Sequence, residues 1–327
     1  MAKATITIVG LGKVGSSIGL ALNTPENDLQ LIGHDKVSGI AKESKSRGAV
    51  GSTSWNLISA CERADVVILA IPFDQIEPTL QAIGDVLKIG AVVIDTSSFK
   101  QPVMEWAARH LAETAHFVGI GLGRNPEAMM DLTPGPAGAR ADLFANAPCC
   151  VMPSPSSAPD AVKIAQDLAT LLGATPYFLG PDEYDGLSAV VHLVPALLAG
   201  ALLGPVISSP GWREMRRLGS SDLLYLGQSL KESASALALQ TACNRENVVR
   251  WLDRVMDELG TIRAQVAEGE DELLGHRLDL IDEGLERWLI DWHKNDWERA
   301  ARPAAPPTGG WFRQLFGFGG RRRDDEK

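Results

Sequence analysis

The chain has 327 residues, 45% of them hydrophobic, and a net charge of −10. That length exceeds what one compact core usually organises, so two domains are expected, with enough apolar material to fill both. The acidic balance, without a Lys/Arg run in the part expected to fold, argues against nucleic-acid binding.

MAKATITIVG goes directly into a strand without a signal-peptide layout, so a cytoplasmic protein is expected. No uninterrupted apolar stretch reaches about 18 residues, so no membrane span is expected. Cys61, Cys149, Cys150 and Cys243 show no metal-ligand spacing. They read as buried small hydrophobes in a reducing compartment, with the adjacent pair on opposite faces of a strand.

Up to about residue 180, short β-rich runs alternate with helical patterns. Strands are expected at 5–10 (TITIVG), 29–35, 65–72, 91–97, 116–121, 148–153 and 175–180. Most are continuous apolar runs, the mark of strands covered on both faces. The implied fold is α/β, a doubly wound, mostly parallel Rossmann-type sheet.

From about Asp182 the pattern is helical only. LSAVVHLVPALLAGALLG reads as a helix buried on most sides, because a histidine, a proline and glycines interrupt what would otherwise be a marginal membrane segment. Two stripes at helical spacing follow: Val248, Leu252, Val255, Leu259, Ile262 and Val266, then Leu274, Leu278, Ile281, Leu285, Trp288 and Trp292. Such broad apolar faces with few other partners suggest a homodimer interface. The expected organisation is a nucleotide-binding domain over 1–180, an all-helical substrate and dimerisation domain over 181–300, and a disordered Pro/Gly/Arg tail over 301–327.

Gly10, Gly12 and Gly15 follow the first strand and open the helical run KVGSSIGLAL, the context in which GxGxxG binds a dinucleotide. Gly10 permits the tight turn, Gly12 lets a pyrophosphate approach, and Gly15 lets helix pack on strand. The whole turn, Gly10, Leu11, Gly12, Lys13, Val14 and Gly15, is thus expected at the cofactor. Asp35, ending the second strand, would accept hydrogen bonds from ribose hydroxyls and repel a 2′-phosphate, favouring NAD. Lys36 beside it keeps NADP possible. Ala70, Ile71 and Pro72 would line the nicotinamide.

With these residues in place, the chain resembles the prephenate and arogenate dehydrogenases of tyrosine biosynthesis. IVGLGKVGSSIGLAL looks like their cofactor loop, DTSSFK (95–100) like their Asp-x-x-Ser-x-Lys segment, and PDEYDGLSAVVHLVPALLAGAL like the opening of their helical domain. GWREMRRLGSSDLLYLGQSLKESASALALQTACNRENVV resembles their later Arg, Ser-Asp and Asn-Arg segment. The resemblance implies NAD(P)-dependent oxidative decarboxylation of prephenate or arogenate by a dimer. It also implies that Ser98 lies near substrate and nicotinamide; a helix N-cap is the other role open to it. It puts His192 beside the family's substrate-facing histidine, although HLVPALLA carries one residue more than the family's His-Leu-Pro-His. Arg217 would bind a substrate carboxylate, assisted by Arg213 one turn earlier.

The family's loop histidine is absent. In VGIGLGRNP (118–126) its place in a Gly-Gly-His-Pro pattern falls on Gly121. General acid–base help is usually worth about 10² to 10⁴ in rate. Three outcomes stay open. His192 supplies the base; or Arg124 and Asn125 hold a changed acidic substrate; or the chain binds NAD without turnover, as a sensor or partner subunit. His116 begins its strand, at the end away from the active-site edge, and is a poor substitute.

Overall fold

The computed structural model describes residues 3–230 and 233–294, so the tail expected at 301–327 lies outside the described residues. The chain divides into two compact units, Met1–Val255 and Met256–Lys327.

In the first unit one sheet is built from β1 (Ala4–Val9), β2 (Leu29–His34), β3 (Ser52–Thr53), β4 (Val66–Leu69), β5 (Val92–Asp95), β6 (His116–Leu122), β7 (Pro148–Pro153) and β8 (Thr175–Phe178). Their spatial order is 3-2-1-4-5-6-7-8. All pairs are parallel except β6 with β7. Between them run α1 (Lys13–Leu22), α2 (Ser38–Ser46), α3 (Leu57–Cys61), α4 (Ile76–Ile83), α5 (Gln101–His110) and α6 (Pro159–Leu171).

Strand alternation explains why the apolar runs are continuous. Val66, Ile68, Val92 and Ile94 enter a core shared with α1, α2 and α6. Their neighbours Val67, Leu69 and Val93 enter a second core shared with α3, α4 and α5. Both faces are covered, so no position in these strands is left for water. β3 escaped the sequence reading because it has two residues, both exposed, and no apolar run to mark it.

The helical part comprises α7 (Pro181–Ser188), a π-helical turn (Ala189–Leu193), α8 (Val194–Ser208), α9 (Trp212–Met215), α10 (Ser221–Gly227), α11 (Ala234–Cys243), α12 (Arg245–Glu268) and α13 (Asp271–Lys294). Ala189, Leu193 and Val248 pack into the second core of the sheet. Within the continuous run Pro181–Ser208 an 18-residue window has a mean hydropathy of 2.1, long and apolar enough by length and composition to cross a membrane. Only 22% of that window is buried, so the helix is not buried on most sides as expected. In the second unit Arg277 pairs with Glu258 at 2.6 Å, and Trp288 stands edge-on to Trp292 at 5.1 Å between ring centroids.

Cys61, Cys149 and Cys150 are buried, but Cys243 is exposed. That corrects the expectation of four buried cysteines: Cys243 is the last residue of α11, where the helix ends at the surface. Cys149 and Cys150 face the two different cores. Burial pushes the thiols of Cys61 and Cys149 up to about 12 and that of Cys150 to about 11, leaving them unreactive.

Candidate active site

The glycine turn is shaped by close approach. Gly10 has φ +89°, and a Cβ there would lie 2.3 Å from the Ala70 carbonyl oxygen. A Cβ on Gly15 would lie 1.9 Å from the Gly10 carbonyl oxygen. Gly10 must stay bare for the turn to lie against the segment after β4, and Gly15 for α1 to pack on the end of β1. Over Gly12, by contrast, nothing lies within 4 Å, and no side chain caps α1 among the described residues. An open glycine before an uncapped ten-residue helix offers free N–H groups and a positive dipole end, so the residues fit a bound pyrophosphate.

Asp35 Oδ2 accepts from the Leu11 N–H at 2.9 Å and Oδ1 from the Val37 N–H at 2.8 Å. The carboxylate therefore holds the turn while remaining at the end of β2. Lys36 is exposed. Lys13 donates to the Asp131 carbonyl and lies 3.5 Å from its carboxylate.

Beside the turn opens a cavity of about 560 Å³. Lys13, Val14, Ala70, Ile71 and Pro72 line one side. Ser98, Arg124, Tyr184, His192 and Gln240 line the rest. The cavity thus brings together eight of the sixteen residues expected at the site from sequence, Ser98, Arg124 and His192 with Lys13, Val14, Ala70, Ile71 and Pro72. Arg213 and Arg217 are not among them: both are exposed beside Glu214, at 3.5 and 3.2 Å.

Beneath the cavity, Lys100 and Asp95 are fully buried and paired at 2.6 Å. Lys100 also donates to the Asp95 carbonyl at 3.1 Å, and Ser97 Oγ donates to Asp95 Oδ2 at 2.7 Å. Such a pair is satisfied only as a unit, which fixes the Ser97–Ser98 turn above it. Gly119 makes room, since a Cβ there would meet Lys100 Cδ at 2.8 Å. The N-terminus of α5 is capped by Asp185 of α7, whose oxygens accept from Lys100 N–H at 2.7 Å and Gln101 N–H at 3.0 Å. The cap does not come from Ser98; its hydroxyl has no hydrogen-bond partner among the described residues and lies at the cavity. Burial pushes Asp185 up to about 6, against the lowering pull of its two N–H donors and Lys100.

His192 sits in the π-helical turn, where a helix accommodates one added residue. The residue in excess over His-Leu-Pro-His is thereby absorbed without unwinding the helix. The ring keeps open surface toward the cavity while protein packs densely around it. That packing, then the charges of Arg124 and Lys100, hold it below the usual imidazole value. It is a neutral base at neutral pH. His116 lies at the start of β6, opposite the Gly121 end, with a buried Nδ1 that has no partner among the described residues.

Four contributors carried little sequence signal. Tyr184 and Gln240 line the cavity; both lie in segments that carry the resemblance, but neither was singled out as a site residue. The buried Lys100–Asp95 pair lay inside DTSSFK, where the Asp-x-x-Ser-x-Lys spacing was visible but the burial was not. Asp185 caps a helix that begins 84 residues earlier in the chain. Among the described residues no group of three or more His, Cys, Asp or Glu is placed to hold a metal ion.

A parallel sheet with a dinucleotide turn at its carboxyl edge, and a cavity there carrying a neutral histidine and a cation, define a dehydrogenase with an NAD(P)-type cofactor. Residues 18–178 match the family model described as prephenate dehydrogenase, nucleotide-binding domain. The chain is similar to prephenate dehydrogenase of Bacillus subtilis, 27% identical over 290 residues that cover 83% of this chain and 72% of the relative. It is similar also to cyclohexadienyl dehydrogenase of Zymomonas mobilis, 22% identical, covering 83% and 92%. Among solved structures it resembles prephenate dehydrogenase from A. aeolicus in complex with hydroxyphenyl propionate and NAD+, with TM-score 0.73, 19% identity and coverage of 89% and 99%. Synechocystis arogenate dehydrogenase follows the same fold with TM-score 0.64, 20% identity and coverage of 87% and 99%. These matches support the prephenate/arogenate dehydrogenase family, whose nucleotide-binding domain is the part the family model covers.

Proposed function

We propose that this protein catalyses the NAD-dependent oxidative decarboxylation of prephenate or arogenate, as a homodimer. The observation that carries the proposal is the single cavity in which His192, Ser98 and Arg124 face Ala70, Ile71 and Pro72.

In such a substrate the carbon bearing the ring hydroxyl loses a hydride, the ring carboxylate leaves as carbon dioxide, and the ring becomes aromatic. Bound nicotinamide supplies the hydride acceptor. His192, neutral and cavity-facing, takes the hydroxyl proton as the hydride departs and returns it to the oxygen as the ring aromatises. Ser98 is placed to hydrogen-bond the substrate near that centre. Arg124 offers a cation for a carboxylate. Since aromatisation drives the reaction, the residues chiefly hold the reactants in register.

Asp35 supports NAD over NADP, because a carboxylate at the ribose repels a 2′-phosphate. The apolar faces of α12 and α13 support the dimer, as argued below.

Purified protein given NAD and either substrate is expected to form NADH, followed by its absorbance. His192→Ala is expected to lower kcat by roughly 10² to 10⁴. The acid limb of wild-type kcat/KM is expected at an apparent value below the 6.5 of an ordinary imidazole. Wild-type rates in His192→Ala would remove His192 as the base. A flat trace with both substrates, with NAD bound, would leave a changed substrate or a binding-only role.

A further inference from the structure

The space over Gly121 is filled. A Cβ built on Gly121 would lie 2.4 Å from Tyr184 Cε2, 2.5 Å from its hydroxyl oxygen and 2.7 Å from Cζ. Any side chain there would collide with the ring, so the tyrosine occupies this position only because residue 121 is glycine. Gly121 lies near the carboxyl end of β6, two residues beyond Gly119, which pairs with the last residue of β5. The cofactor turn and Ser98 occupy the same edge of the sheet. Tyr184 lines the same cavity as Ser98, His192 and Ala70.

The ring is held in place from below. Lys100 Nζ lies 5.9 Å from its centroid, and Lys100 is itself pinned by Asp95. The Tyr184 hydroxyl has no hydrogen-bond partner among the described residues, although it can donate one bond and accept two. A polar atom at a cavity wall, with its ring wedged and its hydrogen-bonding capacity unused among the described residues, is suited to a ligand. Burial pushes this phenol far above its ordinary value, so it stays protonated and acts as a donor, not as a base.

Resting on the reaction proposed above, we propose that Tyr184 is a substrate-binding residue: its hydroxyl, seated where Gly121 leaves room, hydrogen-bonds the ring oxygen of the substrate. The ring oxygen sits on the carbon that gives up the hydride, so it must lie at the nicotinamide-lining wall. Tyr184 donates to it there, and His192 takes its proton. The role of the missing loop histidine is thereby divided, with orientation on one side chain and proton transfer on another.

The test is binding, and it does not depend on turnover. The full chain loaded with NAD is titrated by calorimetry with 3-(4-hydroxyphenyl)propionate and with 3-phenylpropionate, which lacks only the ring hydroxyl. Wild type is expected to prefer the hydroxylated ligand by roughly tenfold, the worth of one hydrogen bond. Tyr184→Phe, which removes one oxygen, is expected to bind the two alike. Gly121→Ala, whose methyl must displace the ring, is expected to lose the preference too. Retention of the preference in Tyr184→Phe overturns the assignment, as does wild-type protein that shows no preference or does not bind the hydroxylated ligand. If the preference is present and collapses in both variants while prephenate and arogenate give no NADH, the role of Tyr184 stands and the proposed reaction falls.

Discussion

At Asp35 both carboxylate oxygens accept backbone N–H groups, from Leu11 and Val37. The side chain therefore cannot swing aside to admit a 2′-phosphate without releasing the turn that carries the cofactor. Lys36 is exposed next to it and is the cation a phosphate would find if the carboxylate were gone. Asp35→Ser is accordingly expected to shift the ratio of NAD to NADP affinity toward NADP by roughly 5- to 30-fold, the scale of one or two kcal/mol lost at a charged hydrogen-bonding group. Dissociation constants of the two nucleotides, measured on both proteins, check this. An unchanged ratio would place the source of nucleotide preference elsewhere than Asp35. Gly10 and Gly15 tolerate no such exchange, since their missing Cβ atoms would meet backbone, which cannot rotate away.

At the scale of elements, α5 begins without a side-chain cap of its own and takes one from α7. Asp185 in turn offers its carbonyl oxygen to Asn244 Nδ2 at 2.8 Å, so one residue joins the starts of α5 and α12. Asp185→Ala leaves the buried Lys100 N–H and the part-buried Gln101 N–H without their acceptor and is expected to cost about 1–2 kcal/mol at pH 7, read by denaturant unfolding. The sign of the pH dependence follows from its value of about 6 against 3.8 for an ordinary aspartate. Between these values the folded chain holds more proton than the unfolded one, so this group's contribution to stability grows as pH falls from about 6 to about 4. That component should vanish in Asp185→Ala. If the two proteins have parallel stability curves over this window, burial does not govern this carboxyl. These elements also show where sequence is legible. Strands buried on both faces write themselves as apolar runs, and Gly10, Gly12 and Gly15 announce their turn by spacing. β3 is too short to leave a pattern. A cap supplied from 84 residues away, and a tyrosine that fits only because a glycine faces it, are tertiary facts with no local period. Arg213 and Arg217 show the converse: a segment matched by resemblance, whose side chains stand beside Glu214 away from the cavity.

For the whole molecule, the decisive feature is apolar surface left exposed among the described residues. On α13, Leu278, Ile281, Leu285 and Trp288 recur at helical spacing with 51%, 48%, 45% and 41% of their surface exposed. On α12, Leu259 and Val266 stand 55% and 61% exposed. A soluble monomer rarely leaves a contiguous patch of this kind open, and a two-fold interface covers it with its own copy. The homodimer reading predicts a mass in solution of twice the 35.0 kDa chain at micromolar concentration, by light scattering on a sizing column. Leu278→Asp and Leu285→Asp touch side chains already half in water, so they should cost the isolated chain little. A like charge brought into the core of an interface from both copies is costly, so the double variant should run as the 35.0 kDa chain while keeping its helical content. A wild-type protein that is monomeric across the accessible concentrations would sink the homodimer, and a dimer that survives both aspartates would move the interface to another face. Kinetics separate two consequences of dissociation. Every residue of the cavity described here comes from residues 13 to 240 of one chain. A dissociated variant should therefore bind NAD with wild-type affinity, whatever it loses in turnover. Loss of NAD binding on dissociation would mean that the turn at Gly10–Gly15 depends on the dimer for its shape.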